Sequence, residues 1–234
     1  MNSTLLKLIS SLVFIILIVA IPILIVATTV QVYSHSEALY TAGFEKYNIS
    51  QRTSISDIQL RQVAKQMVDY FSGKGQTPQL TVNKHGEPLP LYNEKELIHM
   101  EDVRNIVQLF TILQIVSILI FIGMAILIYV MNGLEKLLMG IQIGAIVTGV
   151  LTGVLIIWSL IDFNSLFLLF HYISFTNNLW VLDPAKDYLI MMFPEGFFND
   201  AAILIVSSIL IEAAIIWVAA YLIKMVSIRK ASAD

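Results

Sequence analysis

Two of the four histidines in this 234-residue chain stand beside groups that could support proton transfer. His99 has Glu96 three residues before it and Asp102 three residues after it, so on a helix both carboxylates share its face. A carboxylate at that spacing can fix the tautomer of an imidazole and raise its basicity. The same helix enters an apolar stretch about one turn later, which indicates a position at a membrane surface. The competing interpretation is a solvated, charged turn that precedes a membrane helix.

The second histidine, His171, lies in a stretch that is unusually rich in aromatic side chains. Residues 163–198 contain ten of the chain's 24 aromatic residues. A belt of aromatic side chains at the membrane surface accounts for part of this density. It does not account for His171 itself, for Asn177 and Asn178, or for the run at residues 180–184. These residues distinguish the stretch from a plain aromatic belt.

Several common catalytic devices are absent from the sequence. The chain has no cysteine, which excludes disulfides, thiol nucleophiles and cysteine-ligated metal sites. It also has no serine nucleophile elbow, no zinc-protease HExxH motif, no P-loop and no GxGxxG motif. The net charge of −3 shows no basic excess, so we expect no nucleic-acid partner.

The elements that must position these residues are membrane helices. Hydrophobic residues make up 57% of the chain and charged residues only 13%, against about 25% in soluble domains, and the mean hydropathy is +0.79. Four charge-poor stretches are long enough to cross about 30 Å of hydrocarbon at 1.5 Å per residue. We predict transmembrane helices at 8–32, 106–131, 137–161 and 201–223. The first exceeds the apolar core of a signal peptide, so we expect it to stay uncleaved.

A fifth charge-free stretch, 163–182, is long enough to span but carries asparagines, serines and a histidine that are costly in lipid. With four spans, the charges of the N-terminus, of the turn at 135–136 and of the C-terminus share one side and sum to +3. The positive-inside rule makes that side, and hence both termini, cytoplasmic. The predicted segments are a helix at 1–32, an extracellular cap at 33–104, two membrane helices at 105–161, an extracellular aromatic-rich loop at 162–200, and a last helix with its cytoplasmic tail at 201–234.

The segment 33–104 holds 17 of the 31 charges and is composed like a soluble domain. We predict a helix from Ser56 or Asp57 to about Tyr70, then a β-hairpin of 79–83 and 87–91. Asn93 is expected to cap the helix that starts at Glu94 and feeds into the second span. The fold class is thus an all-α membrane bundle of four transmembrane helices with a small extracellular α+β cap. The face of the cap helix is predicted to consist of Ile58, Val63, Met67 and Val68.

Polar and small residues inside the spans have a structural interpretation. Glu212 lies near the middle of the fourth span, where a charge costs at least about 2.5 kcal/mol. We expect it to hydrogen-bond another helix, with a functional role left open. Small-residue spacing on the third span predicts close helix packing at Gly140, Gly144, Gly149 and Gly153. The expected partners of Glu212 are Gln114, Ser117, Thr148 and Thr152.

Three sequence runs together carry a resemblance to a known family. They are NEKELIHMEDV at 93–103, FH at 170–171 followed by FTNNLWVLDP at 175–184, and DYLIMMFPEGFF at 187–198. With these runs the chain resembles the bacterial lipoprotein intramolecular transacylase (Lit) family of four-span membrane proteins. The likeness extends over nearly the whole chain, although the first outer segment matches only in length and placement.

The resemblance implies a lipoprotein substrate whose N-terminal cysteine carries a thioether-linked diacylglyceryl group. The family's reaction moves the sn-2 acyl chain to the α-amine of that cysteine and leaves a lyso-form lipoprotein. Because the substrate supplies both ester and nucleophile, no cofactor and no catalytic serine or cysteine are needed. The expected location is the bacterial plasma membrane, with the active site at the outer leaflet. Diacylated lipoprotein and membrane lipid are the expected partners, with no obligate protein partner.

The family's two catalytic histidines correspond here to His99 and His171. We expect His99, oriented by Asp102 or Glu101, to act as base toward the α-amine. His171 would then donate to the oxyanion or to the leaving glyceryl oxygen, and the reverse order remains open. The side chains expected to line the substrate pocket are Phe170, Tyr172, Phe175, Asn177, Asn178, Trp180, Phe193 and Phe197.

Two other functions remain open at this stage. One is a metal-assisted lipid hydrolase in which His99 and His171 act as ligands together with Glu96, Asp102 or Glu195. The other is a non-enzymatic accessory subunit whose aromatic outer surface docks a partner helix. Activity in strong chelator tests the first, and conversion of lipoprotein by the purified chain tests the second.

Overall fold

The computed structural model describes residues 3–75, 81–84 and 87–231. Three described helices are long and apolar enough to cross a membrane, namely Thr4–Ser34, Glu94–Ser174 and Glu195–Lys230. This finding confirms the prediction of a helical membrane protein. The elements in chain order are α1 (Ser3–Ser34), α2 (Glu37–Lys46), α3 (Ile49–Thr53), α4 (Asp57–Phe71), β1 (Thr81–Lys84), β2 (Glu87–Pro90), α5 (Glu94–Ser174), α6 (Tyr188–Met192) and α7 (Glu195–Ala231).

The helical segment α5 has 81 residues, and its contacts with α1 show that the chain reverses direction near Gly133. A straight helix of that length would measure roughly 120 Å, about four times the hydrocarbon thickness. Gly133 has a φ of +82°, a conformation that glycine adopts without steric cost. Before it, Asn132 bonds Ser10 and Gln114 bonds Thr28, so that segment runs antiparallel to α1. After it, Gly140 contacts Phe14 and Leu17, and Gly144 contacts Ile21, which lies further along α1. Residue numbers therefore increase in the same direction on both segments, so this segment runs parallel to α1.

The described residues form two compact units, and the first, here called the bundle unit, contains residues 3–29, Phe110–Ile157 and residues 205–231. Gly140 packs on Phe14 and Leu17 and Gly144 on Ile21, so closely that an added methyl group would clash. This close approach confirms the expectation for those two glycines. The expectation was wrong for Gly149 and Gly153, where a methyl group would meet open space.

Glu212 hydrogen-bonds another helix as expected, but with a partner that the sequence prediction did not include. Its Oε2 accepts a hydrogen bond of 3.0 Å from Oγ1 of Thr29 in α1. The same Thr29 hydroxyl lies 2.9 Å from the carbonyl oxygen of Ile25. The four expected partners bond elsewhere, Gln114 to Thr28 and the other three to backbone carbonyls of their own helix.

The second unit, here called the cap unit, comprises Val30–Leu109 and Trp158–Leu204. Its α4 begins where predicted, because Ser56 and Gln59 form a capping box at its N-terminus. Of the predicted apolar face, Val63 and Met67 are buried, but Ile58 is 71% exposed, so its inclusion was wrong. Ile58 lies in the first turn of α4. The buried residues of α4 are Leu60, Val63, Ala64, Met67, Tyr70 and Phe71.

The predicted hairpin is present as two short antiparallel strands, β1 and β2, with Val82 paired to Leu89. The described residues exclude 76–80, 85 and 86, so the first two residues of the predicted strand 79–83 and most of the turn predicted at 84–86 lie outside them. Asn93 caps α5 as predicted, and Glu96 completes a capping box with it. The helix continues to Ser174, so the first part of the aromatic-rich segment is helical and the irregular connection begins at Phe175.

Candidate functional site

His99 and His171 lie near opposite ends of α5, and the reversal of that helix allows their rings to approach. The ring centroids are 6.3 Å apart with an interplanar angle of 29°. Each side chain is nine-tenths buried, at 7% exposure. Both belong to the cap unit and lie outside the apolar segments 106–131 and 137–161. The structure therefore brings together the two histidines that the sequence singled out.

The tautomer of His171 follows from its backbone contact. Its Nδ1 lies 2.7 Å from the carbonyl oxygen of Phe167, one helical turn earlier. A carbonyl oxygen only accepts, so Nδ1 carries the proton and donates it to this bond. In the neutral ring the other nitrogen, Nε2, then holds a lone pair that can accept a proton. The fold thus leaves Nε2 as the nitrogen of His171 that can accept a proton.

The ring of His99 is held differently, by packing and not by a backbone hydrogen bond at Nδ1. The Phe175 ring stands edge-on to it, with centroids 5.0 Å apart. Nδ1 of His99 is buried and finds no hydrogen-bond partner among the described residues. A buried polar atom without a partner is costly, and such atoms occur at functional sites. The hydrogen-bonding capacity of this nitrogen is therefore unused among the described residues.

Burial sets the protonation of both rings. It lowers the pKa of His99, the nearby His171 ring lowers that pKa further, and the Asp102 carboxylate raises it. Burial also lowers the pKa of His171, while the hydrogen bond to Phe167 acts in the opposite direction. Both rings are therefore neutral at pH 7, which is the form that can accept a proton.

Of the two carboxylates expected to orient the histidines, Asp102 is the one engaged near the site. Its Oδ2 accepts a 2.9 Å hydrogen bond from Nδ2 of Asn177. Oδ1 of the same asparagine accepts from the backbone N–H of Leu179, which shapes the turn after α5. Glu101 is exposed. Asp102 acts on His99 through its charge and, by holding Asn177, on the connection that follows His171.

Aromatic rings enclose His171. Trp180 lies 4.8 Å away, Phe170 5.4 Å and Phe175 5.5 Å between ring centroids. The ring of Phe167, which is not among the predicted pocket residues, lies nearer still at 4.3 Å. Its position four residues before His171 on one helix was the available signal.

Other predicted pocket residues lie elsewhere. Tyr172 is largely exposed and packs edge-on against Trp180 rather than against either histidine. Asn178 is exposed. Phe193 and Phe197 belong to the hydrophobic core of the cap unit, where both rings contact Tyr40.

A network of buried carboxylates ties the connection after His171 to the start of α5. Glu96 is 1% exposed, and its two oxygens accept from the backbone N–H groups of Leu189 (2.6 Å) and Asn93 (2.8 Å). Asp187, at 5% exposure, accepts from Nδ2 of Asn93 (2.9 Å) and from the backbone N–H of Asp183 (2.7 Å). Glu96 therefore anchors a loop instead of pairing with His99, which its spacing alone could not reveal.

A metal site was an alternative for these side chains. Within the described part of the chain, no group of three or more histidine or acidic side chains is arranged to hold a metal ion. Glu96, one of the expected ligands, is engaged by two backbone N–H groups instead.

Comparisons with known proteins agree on one relationship. The family model of the lipoprotein intramolecular transacylase Lit matches residues 15–198. Among solved structures, the membrane integral lipoprotein intramolecular transacylase Lit from Bacillus cereus aligns with a TM-score of 0.79 and 24% identity, over 95% of this chain and 99% of that chain.

Two further structures of the Bacillus cereus protein, each with one histidine substituted, align at the same 24% identity. The arginine variant has a TM-score of 0.75 and covers 95% of this chain and 96% of its own. The alanine variant has a TM-score of 0.77, with 97% and 100% covered. At this identity the likeness shows a shared fold. No curated protein matches this chain in a sequence search.

Proposed function

This chain belongs to the lipoprotein intramolecular transacylase (Lit) family, and we propose that it moves the sn-2 acyl chain of a diacylglyceryl-modified lipoprotein to the α-amine of its N-terminal cysteine. Family membership makes the chain a multi-pass membrane acyltransferase with a lipoprotein substrate. The product of the proposed step is a lyso-form lipoprotein, acylated on nitrogen and keeping one chain on the glyceryl group.

The proposed topology has four spans, with both termini in the cytoplasm. The reversal at Gly133 supports two spans within α5, one antiparallel and one parallel to α1. With α1 and α7, this makes four. The positive charge of the termini and of the 135–136 turn supports the orientation. In this topology the cap at 33–104 and the segment 162–200 are extracellular, and the histidine pair works at the outer leaflet.

One observation carries the proposal, namely that His99 and His171 form a pair of buried, neutral rings 6.3 Å apart. Transfer of an acyl chain from an ester to an amine needs a base for the nitrogen proton and a donor for the oxyanion. Two adjacent imidazoles meet both needs without a cofactor. Holding ester and amine together beside them lowers the barrier further, because the step becomes effectively unimolecular.

The contacts of the two rings favour the reverse of the assignment expected from sequence. His171 presents Nε2 as the acceptor, because Nδ1 donates to Phe167, so we assign it the role of base. It takes a proton from the amine as the new N–C bond forms. His99, with a proton on Nδ1, donates to the oxyanion. The glyceryl C–O bond then breaks, and the departing oxygen receives the proton that His171 took from the neutral amine, so both histidines return to their starting forms.

The remaining residues have supporting roles in this proposal. Asp102 and Asn177 are positioning residues, since their hydrogen bond fixes the start of the connection that carries Trp180. Phe170, Phe175 and Trp180 keep water from the histidines. Excluding water favours attack by the amine over hydrolysis of the ester.

The test is mass spectrometry of a synthetic diacylated lipopeptide that carries an isotopic label only in its sn-2 acyl chain. After incubation with the purified chain, we expect an unchanged total mass and fragments in which the label lies on the N-terminal amide. A label that stays on glycerol, or is released as free fatty acid, would contradict the proposal.

The same experiment separates the alternatives. Transfer should persist in strong chelator, whereas loss in chelator and recovery on adding metal would favour the metal-assisted hydrolase. Conversion by the purified chain alone would exclude the accessory-subunit interpretation. A chain that converts nothing by itself, but co-purifies with a stoichiometric membrane partner, would support that interpretation.

A further inference from the structure

A cavity that is lined by neither of the two histidines opens in the bundle unit between the first turns of α1 and the reversal of α5. Its volume is about 740 Å³. Lys7 and Lys136 line it, together with the hydroxyl-bearing Ser10 and Ser11 and the amide side chain of Asn132. Cationic and hydrogen-bonding side chains thus surround one opening at one end of the helices.

The positive charges of Lys7 and Lys136 at the cavity are not neutralised by acidic side chains among the described residues. Neither takes part in an ion pair in the part of the chain that the structure describes. The Lys136 ammonium stands 4.2 Å from the centre of the Phe14 ring, which holds it at the cavity. The neighbouring acid, Glu135, is engaged by Lys224 at 3.1 Å. The negative charge of Glu135 is therefore balanced by Lys224 and not by the two lysines of the cavity, so the cavity stays cationic.

An apolar groove continues from this cavity along the same pair of helical segments. Ile15 lines both, and the groove then follows α1 toward Ile23 and the facing stretch of α5 from Ile120 to Leu113. Its volume is about 250 Å³. Its lining residues are apolar except for one serine. They are Ile15, Ile16, Val19, Ala20, Ile23, Leu113, Val116, Ser117 and Ile120.

We propose that this cavity and groove form a binding site for an anionic phospholipid, with its phosphate between Lys7 and Lys136 and one acyl chain along the groove. The occupant must carry an anion at one end and a hydrocarbon chain at the other, because the lining changes from cationic near Lys7 to apolar toward Ile23. Basic pockets between transmembrane helices on the cytoplasmic side bind anionic lipid headgroups in this way. The site concerns neither the transferred acyl chain nor the histidines, so it stands independently of the proposed reaction.

Lipid binding can be counted directly by native mass spectrometry of the full chain released from detergent. We expect one phosphatidylglycerol molecule to bind more tightly than phosphatidylcholine, which has the same chains and a zwitterionic headgroup. A lysine near a membrane surface contributes about 1 kcal/mol toward an anionic lipid. The affinity for phosphatidylglycerol should then fall about fivefold for Lys7→Gln or Lys136→Gln and roughly thirtyfold for both together.

Two matched controls locate the site. Lys230→Gln removes an exposed lysine near the end of α7 that does not line the cavity, and it should leave the preference unchanged. Val116→Trp fills the groove and should weaken both lipids alike, whereas Val130→Trp, exposed on the same helix away from the groove, should not.

The outcomes decide the proposal. Equal affinity for the two lipids, or a double lysine variant that keeps the preference, would overturn it. Inorganic phosphate added alone should not displace the lipid. If phosphate displaces it, or binds with the same dependence on the lysines, then the site takes a phosphate anion and not a lipid. Retained melting temperature in each variant establishes that the loss is not unfolding.

Discussion

The two histidines differ in how the fold holds their ring nitrogens, and the roles proposed for them rest on that difference. Nδ1 of His171 is committed to the Phe167 carbonyl, while Nδ1 of His99 has no partner among the described residues. The tautomer of His171 is therefore fixed by the backbone, whereas Nδ1 of His99 keeps a hydrogen-bonding capacity that the described residues do not use. Aromatic walls around both rings keep them neutral at physiological pH.

The pH dependence of the rate should reveal these lowered pKa values. The substrate amine, with a pKa of about 7.7–8.0, must lose a proton, so the logarithm of the rate should fall with unit slope below that value. A second unit of slope should appear only where a histidine becomes protonated. Because burial lowers the histidine pKa values, we expect that break below pH 6.5.

Phe175→Ala provides the matched variant for this measurement. It admits water to both rings, so the break should move upward toward pH 6.5. A wild-type break at or above pH 6.5, or one that Phe175→Ala does not move, would contradict the assignment of two buried, neutral histidines.

Asp102 should act mainly by holding Asn177. Asp102→Ala and Asn177→Ala both remove that hydrogen bond, and a small displacement of the connection can cost roughly a hundredfold in rate. Asp102→Asn keeps an oxygen acceptor and should retain most of the activity. Initial rates of the three variants decide this, with Glu101→Ala, exposed and adjacent, expected at the wild-type rate. An Asp102→Asn enzyme as slow as Asp102→Ala would mean that the charge is what matters.

At the scale of elements, the start of α5 does more than lead into the membrane. Its first turn carries the capping residues Asn93 and Glu96, and these bind the connection that returns after His171. The helix α5 therefore carries His99 and also positions the loop whose side chains pack against His171.

Removing the Glu96 carboxylate should loosen that connection. Hydrogen bonds to charged groups contribute about 1.5–3 kcal/mol each, so we expect Glu96→Ala to lower the free energy of unfolding by a few kcal/mol. Thermal melting and limited proteolysis within residues 175–194 would measure this. Glu94→Ala, exposed in the same turn, is the control. Equal stability of the two variants would contradict the anchoring role.

Helix-capping rules predicted the start of two helices correctly. The caps at Ser56 and Asn93 follow from residue type and spacing, and the structure contains both. The errors share a cause, since Ile58, Gly149 and the partner of Glu212 depend on which helix packs on which face. Periodicity within one helix does not contain that information.

At the scale of the molecule, four spans with both termini inside is a topology that labelling can test. The chain has no cysteine, so single cysteines can be introduced without removing any. Lys74→Cys and Ala185→Cys should react with a membrane-impermeant maleimide from outside intact cells. Ser227→Cys and Glu135→Cys should react only after the membrane is permeabilised. Labelling of all four from one side would contradict the topology.

The pairing of the two histidines could be anticipated because the predicted four-span topology places both at the same membrane face. The detailed contacts of the site could not be anticipated from the sequence. Phe193 and Phe197 lie in the same aromatic run as Trp180, yet the fold commits them to the core around Tyr40. Glu96 and Asp102 flank His99 at equal spacing, yet each is engaged by a partner from residues 177–189. Such choices depend on how the connection folds back, which spacing along one helix does not specify.

The most direct test of the histidine pair is the rate of label transfer from the sn-2 position to nitrogen in wild type, His99→Ala and His171→Ala, followed by mass spectrometry. General acid–base groups contribute roughly 10²–10⁴-fold, so each variant should lose at least about a hundredfold in rate while it retains its melting temperature and helical content. A folded variant of either histidine that transfers the label at the wild-type rate would contradict the central claim.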